Sequence, residues 1–146
     1  GKENYTATFD VPYEPGTLKA VNSKGKEEFV LKTAGEPAAI RLIADRSKIK
    51  ACKNDLSYVK IELVDKNGNV VPETSLPVKI ECTGKGTVIA GGNAAYADME
   101  SFRSLTPNTF RGKAIAIVQP DGEKGDIQVK VSAKGLEDAS IVITTY

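Results

Sequence analysis

Histidine and tryptophan are missing altogether from this sequence of 146 residues. Without histidine there can be no Ser/His/Asp or Cys/His constellation and no His-bearing zinc site, and the commonest general base is gone. Without tryptophan the flattest stacking platform for a sugar ring or a quaternary ammonium group is gone too. Neither sign of charge is in excess: 20 Lys and Arg stand against 19 Asp and Glu, for a net charge of +1. Nothing electrostatic therefore calls for nucleic acid or an anionic membrane as partner. No apolar run approaches the roughly 20 residues that span a bilayer, so membrane insertion is not expected. The opening GKENYTATFDV shows no basic-then-apolar leader. Cysteine is scarce, with only Cys52 and Cys82. A disulfide between them would suit an extracellular or periplasmic protein. The other reading is two separate thiols, Cys82 being a small core residue in phase with Val78 and Ile80 and Cys52 lying in a turn rich in Lys, Asn and Asp.

What is present is strand grammar. Hydrophobic residues at 40% with charged residues at 27% place the chain among globular proteins, so the apolar positions can be read as core. Residues 37–69 set the pattern, with alternating apolar runs over 38–44 and 56–65 and a turn on Asp65, Asn67, Gly68 and Asn69. Further strands follow over 76–82, 87–90, 110–119, 126–134 and 139–145. Turn chemistry stands between them and no ten-residue stretch has a helical period. The expectation is an all-β, Ig-like antiparallel β-sandwich over 37–146.

The first 34 residues read differently. Strands are expected over 5–11, around Leu18 and Ala20, and over 27–33, punctuated by Pro12, Pro15, Gly16 and Gly25. Their apolar side chains have no second sheet within the segment to cover them, and a three-stranded sheet with one bare face is a poor independent unit. The segment is therefore expected to be the truncated end of a neighbouring β-sandwich, joined by a linker over 34–37. Its bare face, with Phe9, Leu18, Phe29 and Leu31, should dock on the sandwich or pair with a second copy as a homodimer.

Chemistry is thinly signalled. The run from Asp65 to Asn69 has the spaced oxygen side chains and glycine of a calcium loop, but Val70, Val71 and Pro72 follow where the later acidic ligand belongs. A hairpin needing positive φ at Asn67-Gly68 accounts for the same residues. The carboxylates of Glu14, Asp98 and Glu100 are the candidates for paired acid/base work, against the simpler reading that they are solvated. No catalytic residue, metal ligand or cofactor is assigned. The one long irregular stretch, 91–108, is of a length that often carries function. Asn93, Tyr96, Asp98, Glu100 and Arg103 there are candidates for contact with a glycan or partner protein, since tyrosine offers an apolar face and the others directed hydrogen bonds. Alternatively Phe102 and Phe110 anchor the loop on the sandwich. A short helical turn is expected near 97–102.

One resemblance goes further. The run VPYEPGTLKAV at 11–21 and TAGEPA at 33–38 resemble the C-terminal region of glycoside hydrolase family 2 β-galactosidases of the Bacteroidetes type, where such stretches end one sandwich and open the next. The second domain is similar to a bacterial Ig-like module of the invasin kind. The matching runs are Ile40-Arg41-Leu42, Asp45-Arg46-Ser47, 54–59, 65–72, 89–93, Glu100-Ser101-Phe102 and 110–114. The pattern departs at Asn93-Ala94-Ala95-Tyr96. The resemblance implies a non-catalytic accessory domain of a β-galactosidase-like hydrolase of carbohydrate metabolism, periplasmic or extracellular, with the parent's other domains as partners. Its catalytic glutamates would lie in a barrel domain that this sequence does not contain. A carbohydrate-binding module and an adhesin-type Ig spacer are the alternatives.

Overall fold

The computed structural model describes residues 2–3, 6–22, 25 and 27–146. The chain divides into two compact units, Gly1–Thr33 and Ala34–Tyr146. The first carries two antiparallel ribbons, β1 (Lys2–Glu3) with β2 (Thr6–Ala7) and β3 (Thr17–Val21) with β4 (Glu28–Lys32). The strand expected over 5–11 is thus confined to β2 among the described residues; Tyr5 lies outside them. Pro12 and Pro15 explain part of this, since neither offers an N–H to a ladder. The β3–β4 register places Leu18 opposite Leu31 and Ala20 opposite Phe29, so these four share one face. Leu18, Phe29 and Leu31 are exposed on it, as is Phe9 elsewhere in the unit. On the other face Lys19 pairs with Glu28.

The second unit is the β-sandwich. One sheet has the order β5 (Ala39–Ala44), β7 (Ser57–Val64), β10 (Lys113–Pro120), β9 (Gly86–Gly92). The other runs β6 (Lys48–Ile49), β12 (Ala139–Thr145), β11 (Gly125–Ala133), β8 (Val78–Gly84). All pairings are antiparallel except the two-residue contact of β6 with β12. β6 is too short to leave a periodic signature and was not expected. Alternation does the rest. Val59, Ile61 and Leu63 of β7 with Ala114, Ala116 and Val118 of β10 face Val78 and Ile80 of β8, Ile127, Val129 and Val131 of β11 and Ile143 of β12 in one buried cluster. Each such side chain contributes about 1.5–3 kcal/mol by leaving water.

Strands β8 and β9 lie in different sheets yet are separated by Lys85 alone. That crossing requires glycine. Gly84 has φ of +95°, and a Cβ there would stand 2.1 Å from the carbonyl oxygen of Asp126. Cys82 is half-buried beside this corner, and Cys52 is exposed; both are free thiols, which settles the pairing in favour of two separate sulfurs. At the start of β10, the strand expected from 110 begins only at Lys113. Arg111 and Gly112 take positive φ (52° and 70°), and Phe110 pairs back on Lys113.

Candidate functional site

The turn on Asp65 is a tight antiparallel turn and not an ion cradle, with the expected positive φ at Gly68 (80°) but not at Asn67. Its carboxylate accepts N–H groups from Gly35 (2.9 Å), Asn67 (2.8 Å) and Asn69 (2.9 Å) and the Asn69 amide (3.1 Å). A ring of donors is the reverse of what a cation needs. Those donors, Gly35 foremost, hold the Asp65 carboxyl far below the ordinary range. Next to it Arg41 donates twice to Glu62 (2.8 and 2.5 Å) and once to the Gly68 carbonyl (3.0 Å). Burial opposes ionisation of Glu62, and the Arg41 guanidinium overrides it, so that the carboxyl stays below its usual value.

The long loop between β9 and β10 runs over residues 93–112 and holds every candidate contact residue. Asn93 organises it. Its amide donates to Asp98 (2.5 Å) and to the Asn108 carbonyl (2.9 Å), while its own oxygen accepts the Ala95 N–H (2.7 Å). Asp98 in turn accepts the Glu100 N–H (2.9 Å), and Glu100 accepts the Asn108 amide (3.1 Å). Side chains that capture backbone N–H groups in this way compete with helix, and the helical turn expected near 97–102 does not form: the described residues there make turns. The structure thus brings Asn93, Asp98 and Glu100 together and leaves out the other two candidates. Tyr96 is fully exposed, at 101%. Arg103 is exposed as well, its backbone N–H going to the Ser101 hydroxyl (3.2 Å).

The return leg of the loop was not foreseen. Leu105 and Pro107 offer their carbonyls to the N–H groups of Ile80 (2.7 Å) and Val78 (3.0 Å) on β8, and Phe102 offers its carbonyl to Gly91 on β9 (2.7 Å). The loop therefore straps the free edges of both sheets on one side of the sandwich. Its anchors are Pro107 and Thr109, both buried. The Thr109 hydroxyl accepts the Leu76 N–H (2.9 Å) and its carbonyl accepts the Ser75 hydroxyl (2.8 Å). Phe102, expected as an anchor, is 70% exposed. One edge of its ring fills the place of the side chain that Gly92 lacks, 2.8 Å from where a Cβ would be. Phe110 is half-buried, with the Arg111 guanidinium 5.6 Å from its ring centre. The available signal for this strap was the Gly91-Gly92 pair inside a strand pattern, which marks a close approach.

A cavity of about 30 Å³ lies under the loop, with Asn93, Asp98, Glu100 and Phe102 in its wall. That is room for a water. It falls an order of magnitude short of the ~300 Å³ at which small-molecule pockets begin. With the Asp98 and Glu100 carboxylates engaged by amide donors, the arrangement fastens a loop.

Comparison with known proteins gives this sandwich a family. Residues 40–142 match the family described as glycoside hydrolase family 2 C-terminal domain 5. The chain belongs to that family. Outside its boundaries the likeness continues: beta-galactosidase BoGH2A of Bacteroides ovatus is 32% identical over 145 residues, which is 97% of this chain and 17% of that protein. A beta-galactosidase of Thermoanaerobacter pseudethanolicus is 30% identical over 123 residues, 79% of this chain and 16% of its own length. A solved glycosyl hydrolase family 2 member from Bacteroides cellulosilyticus is similar at 39% identity with a TM-score of 0.88, covering 93% of this chain and 19% of that one. This glycoside hydrolase family 2 C-terminal domain, with the unit that precedes it, thus spans about a sixth of the curated relatives it matches.

Proposed function

We propose that this chain is a non-catalytic accessory region of a β-galactosidase-like glycoside hydrolase, serving carbohydrate metabolism by bracing the domains that carry the chemistry. The observation that carries the reading is the loop over 93–112. In that loop the carboxylates and amides are spent on one another and on the backbone. A rigid sandwich of this kind supplies fixed surfaces, and fixed surfaces are what positioning catalytic elements requires. The bare face of Leu18, Phe29 and Leu31 belongs to the same proposal: further strands of a preceding sandwich would cover it. Pairing with a second copy through Phe9, Leu18, Phe29 and Leu31 is the competing arrangement, and the mass in solution separates the two.

The test compares the parent hydrolase with a version lacking residues 34–146. The shortened enzyme should retain turnover of a chromogenic galactoside at low temperature and lose thermal stability, while the 146-residue chain alone should hydrolyse nothing. Hydrolysis by the chain alone, or an unchanged melting temperature after deletion, would overturn the proposal. Full exposure of Tyr96 favours one second reading, glycan contact at the loop tip. Titration with galacto-oligosaccharides, followed at Tyr96, distinguishes it.

A further inference from the structure

The connection between the two units, expected as a linker over 34–37, has far less freedom than its length suggests. On its near side Thr33 closes the β3–β4 ribbon. Its N–H donates to the Gly16 carbonyl (2.8 Å) and its hydroxyl accepts the Gly16 N–H (2.9 Å). On the far side Gly35 is already fastened to the sandwich. Its N–H donates to Oδ2 of Asp65 (2.9 Å), and it packs so closely on that side chain that a Cβ would stand 3.7 Å from the Asp65 Cβ. Ala38 then donates to the Val64 carbonyl (2.8 Å), where the β5–β7 ladder begins. Between these two fastenings Pro37 fixes its own φ and keeps Glu36 out of the helical region, so the bridge is stiff as well as short. The acceptor is itself held still. Asp65 is buried, its Oδ1 takes the N–H groups of Asn67 and Asn69, and its own N–H donates to the Asn69 carbonyl (2.9 Å). Arg41 on β5 ties the same turn down through the Gly68 carbonyl. A charged acceptor also makes a hydrogen bond roughly twice as strong as a neutral one.

We propose that the joint between the two units is a single residue, Ala34, and that the Asp65 turn is the clamp that confines it there. Thr33 is held by one unit and Gly35 by the other. The backbone torsions left to reorient the units are therefore the ψ of Thr33 and the two at the Ala34 α-carbon. Ala34 makes no hydrogen bond among the described residues, so nothing opposes rotation there. A joint of this kind is a hinge, which concentrates a rotation in a few torsions. A linker free over its whole length would be a tether, and would let the units wander independently. The hinge position follows from hydrogen bonds inside each unit and does not depend on what either unit binds.

Backbone nitrogen-15 relaxation and amide exchange on the 146-residue chain test this. Gly35, Glu36 and Ala38 should show the order parameters of the sandwich, about 0.85, with the minimum at Ala34. The Gly35 amide should exchange at least about a hundredfold more slowly than that of Ala34. Asp65→Ala should abolish the Gly35 protection and spread low order through Gly35 and Glu36, while Ile61 and Val129 in the core keep theirs. Ala34→Gly should shorten the rotational correlation time of the β3–β4 amides relative to those of the sandwich. Glu36→Gly, made between two fastened neighbours, should leave it unchanged. Equal effects of these two substitutions overturn the proposal, and so does Gly35 protection that survives in Asp65→Ala. Order parameters that fall together across 34–37 in the unaltered chain also overturn it, and that result decides the question even where Asp65→Ala unfolds.

Discussion

Gly84→Ala should be among the most damaging single-methyl substitutions in this chain, and its cost can be divided in advance. Gly84 sits where β8 gives way to β9 in the other sheet, at φ of +95°. Holding an L-residue in left-handed backbone costs about 1–2 kcal/mol. Independently, the new methyl would stand 2.1 Å from the Asp126 carbonyl oxygen, which already accepts the Lys85 N–H at 3.0 Å. Relieving such an overlap costs about 1–3 kcal/mol, so the total is about 2–5 kcal/mol, or roughly 10–20 °C in melting temperature for a unit of this size. Gly122→Ala is the matched control. It too has positive φ, +107°, but nothing lies within 4 Å of the added carbon, so it should carry the backbone cost alone. Reversible urea unfolding of both variants, followed by circular dichroism, gives the difference directly. Equal losses would refute the reasoning, because the Asp126 carbonyl would then not be standing against the corner.

Four further outcomes are expected. Thr109→Val leaves the part-buried Leu76 N–H without its hydroxyl acceptor and should lower stability by about 0.5–1.5 kcal/mol, read from the urea midpoint. Asn93→Ala removes the donor shared by Asp98 and the Asn108 carbonyl and should speed proteolysis within 94–103 by about tenfold, the equivalent of 1.4 kcal/mol in local opening, with little change in global unfolding. A thiol reagent should modify exposed Cys52 quickly and half-buried Cys82 slowly, as burial also pushes the Cys82 thiol's pKa up; a single fast phase of two thiols would contradict the packing. Asp65 is held ionised in the folded state, so the stability it contributes is complete above its ordinary value of 3.8 and is lost as pH falls through the lowered folded value. Asp65→Asn should therefore destabilise at neutral pH and flatten the acid limb of a melting-temperature profile.

The sandwich was legible because its signal is periodic. Alternation over 57–64, 126–133 and 139–145 fixes which side chains turn inward, and a register slip would expose all of them at once. Short pairings left no such trace. β6 is two residues long and meets β12 in parallel, and neither length nor direction could be read from Lys48-Ile49. The start of β10 moved from 110 to 113 for a different reason, since Arg111 adopts a left-handed conformation that its residue type does not announce. In the loop, residue types pointed to Asn93, Asp98 and Glu100 as a polar group, and they do meet. What type alone could not reveal is that they hydrogen-bond to one another and to the loop, and that Pro107 and Thr109 are the buried residues of the return leg.

That strap sets different rules for its two halves. From 102 to 109 the backbone serves as an extra edge to β8 and β9, and most changes there would uncover hydrogen-bonding groups in the sheets. From 94 to 100 the chain leaves the sandwich, and Tyr96 and Met99 are almost wholly free of it. A graft, a tag or a longer natural insertion placed between Ala95 and Met99 should leave the sandwich intact. The fold thus holds an exposed loop tip on a hydrogen-bonded base, and new recognition could be installed there without disturbing the core.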